Sequence, residues 1–448
     1  MYAFVWFLGK GRSMDSRQSP ILGPLARTVG VVLVSWMSLA PAAFADWSSP
    51  VDVSADGQNA DSHQAAIDPN GNAVVVWRRT DGATLRVQAQ ARTAGSFGPV
   101  HNVSGAGYTA GTPQVAMDGS GNAIFVWSRL DGSNFRIETR SLSTGGVLSA
   151  IQILMDAQEI GGAPQLAMDG NGTAIVVWSR YLNGYSRVQL RTRSVAGALG
   201  ATKTLTSGGG DASTPQVAVN AAGNGVIVWR RFDGLNYRIQ IVARSSAGAL
   251  GAVRTVSVAG QNADSPNVAV DSAGGAVVVW RRFDGALYRI QTLSRSAAGA
   301  LGVQQTVSEA GQNAGAGPQA GIDSSGNSVM VWHAWDGTGT RAQILARSAA
   351  GILSAVQTLS GPGASPPQVV VDAAGNAVAA WHRFNGGFLR VEARRRSADG
   401  TLDPVETLTP LGQDAVYPDL AGNSAGMAVG AWGRSGTPYT RIAVAVGP

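Results

Sequence analysis

Four stretches of the chain set an aromatic ring beside a guanidinium, a carboxylate or an amide: Arg231-Phe232-Asp233 with Tyr237, Arg282-Phe283-Asp284 with Tyr288, Trp335-Asp336, and Arg383-Phe384-Asn385. An aromatic face can stack on the apolar face of a sugar ring while neighbouring polar groups take its hydroxyls, so the pattern suits a saccharide. Several near-identical weak sites would hold a chain multivalently. The competing reading is structural: Phe and Tyr here alternate with valines of a buried face and would fill packed seams.

Signals for catalysis are thinner. The histidines His63, His101, His333 and His382 are scattered, and only the last two hold equivalent places, each one residue after a tryptophan. No G-x-S-x-G, H-E-x-x-H or P-loop pattern occurs. Asp68-x-Asn70-x-Asn72 spaces oxygens as a calcium loop does, yet most equivalent stretches carry Ala or Ser at the third place, and turn chemistry accounts for them better. No metal, cofactor or catalytic residue is assigned. The absence of cysteine excludes disulfide scaffolds and thiolate chemistry. Paired carboxylates can meet in space without sequence proximity, so an extracellular hydrolase or lyase stays open as the lesser reading.

The elements that must position these groups come from a repeat. Eight of the twelve tryptophans, Trp77, Trp127, Trp178, Trp229, Trp280, Trp332, Trp381 and Trp432, follow one another at 50, 51, 51, 51, 52, 49 and 51 residues. Nine residues before each stands Asp or Asn and six before it Gly, from Gly71 to Gly426. Nine residues after it stands Arg: Arg86, Arg136, Arg187, Arg238, Arg289, Arg341, Arg390 and Arg441. A period of this length means a solenoid, a propeller or an array. Within a unit, Pro266 to Asp271 reads as a short strand ending in the turn Asp271-Ser272-Ala273-Gly274. A second strand runs from Ala276 to Arg282, Asp284-Gly285 reverses it into Tyr288 to Ser294, and Val303 to Val307 completes a four-stranded meander.

The ends decide how the units close. The last unit stops after its third strand, Arg441 to Val446, while Ser49 to Ser54 matches a spare fourth strand such as Gly302 to Ser308. An orphan strand at one end and a vacancy at the other seal a ring. The expected fold is all-β: an eight-bladed β-propeller of four-stranded antiparallel blades over residues 46–448, its last blade closed by the N-terminal strand. The one-strand overlap resembles the closure of WD40 propellers, although Trp-Asp is not the repeat signature. The D-x-x-G turn is similar in kind to the Asp-box of sialidases and to the tryptophan-docking motif of eight-bladed quinoprotein dehydrogenases. Its spacing, with Trp nine after Asp, departs from both. The resemblance implies the fold and carries over no catalytic residue.

If Asp284-Gly285 is a two-residue turn, Trp280 faces Arg289 across the hairpin, and the repeated Trp and Arg form a cation–π pair. A second Arg recurs two after Trp in seven units, with Ala334 the exception, and the residue four before Trp is always Ala, Gly or Ser. This predicts inter-blade packing, with ligand stacking as the alternative role. In the third unit Asn183-Gly184 comes one place late, which predicts a longer or bulged hairpin.

Residues 1–45 read as a signal peptide: Arg17 and Arg27, the apolar run Val29 to Leu39, then Ala43-Phe44-Ala45, with Met14 an alternative start. A short membrane anchor is the competing reading. No later segment is apolar enough to span a bilayer as a helix. The expected location is outside the cytoplasm, secreted or at the cell surface, and periplasmic in a Gram-negative host. Removing residues 1–45 takes four of 34 basic and one of 28 acidic residues, leaving 30 against 27, or +3. Such a balance, with arginines dealt out unit by unit, argues against a nucleic-acid partner. The expectation is a monomeric, non-enzymatic binding or scaffold protein facing an extracellular protein or glycan, with a lectin-like glycan binder as the alternative.

Overall fold

The computed structural model describes residues 46–447 apart from 133, 156–159 and 437; the signal-peptide reading lies outside the described residues. All regular structure among them is β. In the first blade, β2 (Ala60–Ile67), β3 (Ala73–Asp81), β4 (Thr84–Thr93) and β5 (Ser96–Asn102) form one antiparallel sheet in that order. Seven further sheets repeat the plan. In the sixth, the innermost strand is split into Asn313–Ala314 and Gln319–Ile322. The ring closes as expected: β1 (Val51–Asp52) pairs with the last strand, Thr440–Gly447, Val51 opposite Val444. Val53 N also donates to Ile442 O (2.9 Å), and its side chain is buried against Trp77, Val429 and Val444.

The Asp turns are self-contained. Asp68 Oδ1 accepts from Asn70 N (2.8 Å) and Asn72 N (2.9 Å), and Oδ2 from Asn72 Nδ2 (2.8 Å), so the carboxylate satisfies amides that the tight turn strands. All eight repeat tryptophans are fully buried. Each packs on the preceding blade: Trp280 lies among Val226, Val228, Ile239 and Ile241. At about 150–250 Å² apiece, burial of each indole contributes roughly 4–6 kcal/mol before entropy.

The hairpin register differs from expectation. Trp280 faces Gln291, and Arg282 faces Arg289. The reason is the turn: Asp284 pairs with Leu287, Asp284 N donating to Leu287 O, so the reversal is centred on Gly285-Ala286 rather than Asp284-Gly285. The same offset of eleven holds in all eight blades, placing Gln88, Glu138, Gln189, Gln240, Gln291, Gln343, Glu392 and Ala443 opposite the tryptophans. The third unit conforms too. Leu182 pairs with Tyr185 around a tight Asn183-Gly184 turn with φ of 53° and 82°; the hairpin is longer than in the other blades, with ten paired positions, as expected, and carries no bulge.

Candidate functional site

Hairpin tips and the connections between blades share one face of the ring. The tip carboxylates are held by their own loops. Asp233 accepts from Asn236 N (2.8 Å) and Leu235 N (3.0 Å) and pairs with Arg238 (3.2 Å); Asp284 accepts from Leu287 N (2.9 Å) and Ala286 N (3.0 Å). These backbone donors keep both carboxyls below the usual range, and Thr338 with Arg341 does the same to Asp336. The tip aspartates are therefore acceptors at neutral pH.

The repeated arginines bond carbonyls of the segments that connect blades rather than stack on indoles. Arg231 Nη2 donates to Gly209 O (2.9 Å) and Ser207 O, Arg282 Nη2 to Ala259 O (3.5 Å), and Arg289 Nη2 to Ser308 O (2.6 Å). Cation–π contacts pair arginine with tyrosine: Arg281 lies 3.9 Å over Tyr288 and Arg230 4.6 Å over Tyr237. In the seventh blade the buried Glu392 accepts from Trp381 Nε1 (3.0 Å), Arg383 Nε (2.7 Å) and Asn385 Nδ2 (3.0 Å).

The tip aromatics divide into two sets. Phe232 with Tyr237 (5.4 Å) and Phe283 with Tyr288 (5.3 Å) are half-buried cross-strand pairs. Trp335 is 51% and Phe384 63% exposed. The other exposed aromatics among the described residues, Tyr108, Phe135, Tyr181, Tyr185 and Tyr417, belong to tips, inter-blade connections or the start of an innermost strand. All lie toward this one face.

A central channel of about 560 Å³ runs between the innermost strands. Thirteen residues before each tryptophan, Gln64, Gln114, Gln165, Gln216, Asn267, Gln319 and Gln368 line it with an amide, and the eighth blade supplies Asp419. These side chains stitch blades: Ala65 N donates to Asp419 Oδ2 (2.8 Å) and Ala320 N to Asn267 Oδ1 (3.1 Å). Burial pushes the Asp419 carboxyl up to about 7, against the bond from Ala65 N.

The repeat breaks where blades seven, eight and one meet. Fourteen before Trp, the other seven units carry Pro and the first carries His63. His63 Nε2 donates to Tyr417 O (2.7 Å), and Tyr417 N donates to His382 Nδ1 (3.1 Å) beneath an edge-on ring contact of 5.2 Å. A carbonyl only accepts and an N–H only donates, so His63 is protonated on Nε2 and His382 is unprotonated on Nδ1. Burial lowers both, His63 to about 4, and keeps them neutral. Tyr417, its side chain 72% exposed, has φ 56°, the left-handed conformation that Ser62, Ala163, Thr214 and Ser265 also adopt at the same place in their blades, so the backbone kink belongs to the repeat and the histidine bonds are added to it. Sequence reading missed this cluster and the amide ring. Both were visible as fixed offsets from Trp, thirteen and fourteen residues upstream, with one exception each. No group of three or more acidic or histidine side chains poised for a metal occurs among the described residues.

No protein-family model matches the chain, and no curated protein does. Solved structures do. A polysaccharide lyase described as a PL25 ulvan lyase aligns at 9% identity over 76% of this chain and 94% of its own, with a TM-score of 0.51. Prolyl oligopeptidase B from Galerina marginata aligns at 11% identity over 85% of this chain, with a TM-score of 0.50; the chain spans 55% of that protein's length. Polysaccharide lyase Uly1 gives 9% identity, 90% and 99% coverage and a TM-score of 0.49. The protein is thus a closed eight-bladed β-propeller whose distant structural neighbours include enzymes. At these identities the likeness is one of fold alone.

Proposed function

We propose that this protein is exported and binds a saccharide chain on its hairpin-tip face. One observation carries the reading: the three most exposed aromatics, Trp335, Phe384 and Tyr417, come from the consecutive blades six, seven and eight and open to the same face. Aromatic rings held at such solvent exposure suit stacking on sugar rings. A rigid platform for a protein partner would use the same face; the spread of aromatics along neighbouring blades favours an extended glycan.

The test is a glycan array followed by titration calorimetry. Trp335→Ala and Phe384→Ala, both surface changes, should each weaken binding about fivefold, in line with an aromatic contact of roughly 1 kcal/mol. Phe232→Ala and Phe283→Ala, at half-buried pairs, should weaken it less. A double Trp335→Ala, Phe384→Ala variant that binds like the parent refutes the assignment. Cleavage of the bound chain is a second reading, favoured by the neutral His63, His382 and exposed Tyr417 at the broken repeat. It expects chain shortening that Tyr417→Phe abolishes while binding persists.

A further inference from the structure

The repeat breaks a second time, on the opposite face, near the turns that join third and fourth strands. Fifteen residues after the blade tryptophan stands arginine in six blades, including Arg193, Arg244, Arg295, Arg347 and Arg396. At three seams a glutamine on the outermost strand of the preceding blade serves it. Gln152 Oε1 accepts from Arg193 Nε (2.9 Å), Gln305 from Arg347 (2.8 Å) and Gln357 from Arg396 (3.0 Å). The same amide donates to a turn glycine carbonyl, at 2.8 Å in all three: Gly197, Gly351 and Gly400.

At the two consecutive seams between these, the glutamine is replaced by Lys203 and Arg254. A cation keeps the donor half of the role: Lys203 Nζ reaches Gly248 O (3.4 Å) and Arg254 Nη1 reaches Gly299 O (3.5 Å). It cannot accept. Arg244 and Arg295 therefore lose the acceptor for Nε and gain a like charge. Their remaining bonds go to neutral carbonyls, Arg244 to Gly223 and Ser245, Arg295 to Gly274 and Ser296. No ion pair with a carboxylate is made by any of the four cations among the described residues, although Asp169 attracts Arg244 from outside pairing distance. Arg244 is only 8% exposed, and burial lowers both arginines, Arg295 further through Arg254.

Between blades four and five a cavity of about 370 Å³ takes Arg244 and Arg295 into its wall, and no acidic residue lines it. Partly desolvated charges with no carboxylate in pairing contact are costly, and an anion placed there would supply both the missing acceptor and added negative charge. We infer that this cavity is an oxyanion site that takes a sulfate or carboxylate group, with Lys203 bonded to Gly248 next to the lining Ala249 and Arg254 beside Arg295. It shares no residue with the hairpin-tip face.

Lys203 is the single lysine beyond residue 45, so reductive ¹³C-dimethylation of the chain from residue 46 labels this side chain and the amino terminus alone. Titration with sodium sulfate should move the Lys203 methyl signal saturably, and sodium chloride at matched ionic strength should not. Dextran sulfate that competes where neutral dextran does not assigns the anion to a polymer; a shift with inorganic sulfate alone assigns it to a free ion. Lys203→Gln and Arg254→Gln install the residue that three other seams carry at this place and so are expected to preserve the fold. Read by calorimetry, they should weaken sulfate binding at least tenfold together. A sulfate response no larger than chloride's, or an affinity unchanged in the double variant, overturns the inference. Neither result bears on saccharide binding at Trp335 and Phe384.

Discussion

Gly172 stands six residues before Trp178, a place where all eight units carry glycine, and the structure gives that requirement two separable causes. Its φ is 77°, which disfavours any L side chain, and a Cβ there would lie 2.6 Å from Val195 Cγ2 and 2.9 Å from Asp118 Oδ2 of the preceding blade. That carboxylate is already fixed by Ser120 N (2.9 Å) and Asn122 N (2.8 Å), so it has little room to retreat. Gly82, at a hairpin tip, has φ 62° and nothing within 4 Å of the same virtual atom. Gly82→Ala should therefore carry the backbone cost alone, about 1–2 kcal/mol. Gly172→Ala adds overpacking of about 1–3 kcal/mol, for a total near 2–5 kcal/mol. Equilibrium urea denaturation followed by the fluorescence of the buried indoles reads the difference. At roughly 2 cal/mol/K per residue, the unfolding entropy of a chain this size makes each kcal/mol worth only about 1 °C in Tm, so denaturant is the better probe. Equal losses in the two variants would refute the seam contact as the reason for the glycine.

Two further outcomes follow from the ring and its channel. Deleting residues 46–54 removes the strand that pairs with Thr440–Gly447, together with Val53 and the Ser54 hydroxyl bonded to Ile442 N (2.8 Å); cooperative unfolding should be lost or shifted well below the parent's, and an unchanged midpoint would disprove closure. For pH, burial holds the Asp419 proton up to about 7, whereas the unfolded chain releases it near 3.8. This group's contribution to stability is thus favourable at low pH and is lost as pH rises between those values. Asp419→Asn, which restores the amide of the other blades, should match the parent below pH 4 and exceed it above pH 7. His63 acts with the opposite sign, since its folded value of about 4 lies below 6.5 and stability is lost as pH falls between them. Denaturation curves from pH 4 to 8 for Asp419→Asn and the parent check this; parallel profiles would count against a buried acid.

The offsets from tryptophan repeated through the eight units made the blades, their turns and the closing strand legible, because each is a local consequence of strand alternation, glycine at positive φ and an unpaired end. The candidate sites were legible only in part. The exposure of Trp335 and Phe384, against the half-burial of Phe232 and Phe283, goes with the residue across the hairpin: Tyr237 and Tyr288 stand against the two half-buried rings, whereas Thr340 and Leu389 face the two exposed ones. That pairing could be read only once the register was known. The tryptophan partner was misplaced by two residues because Asp284-Gly285 resembles a two-residue turn, and only the bond from Asp284 N to Leu287 O shows where the chain reverses.

The sequence by itself determined the number of blades, their order and the strand that seals them, since repetition and turn chemistry are written residue by residue. Tertiary structure alone decided which side chains meet across seams. His63, His382 and Tyr417 converge from blades one, seven and eight, and Lys203, Arg244, Arg254 and Arg295 from three consecutive blades. Residues on neighbouring blades lie about fifty positions apart in the chain, and those either side of the closure more than 350. Local pattern carries no record of their distance; closing the ring sets it.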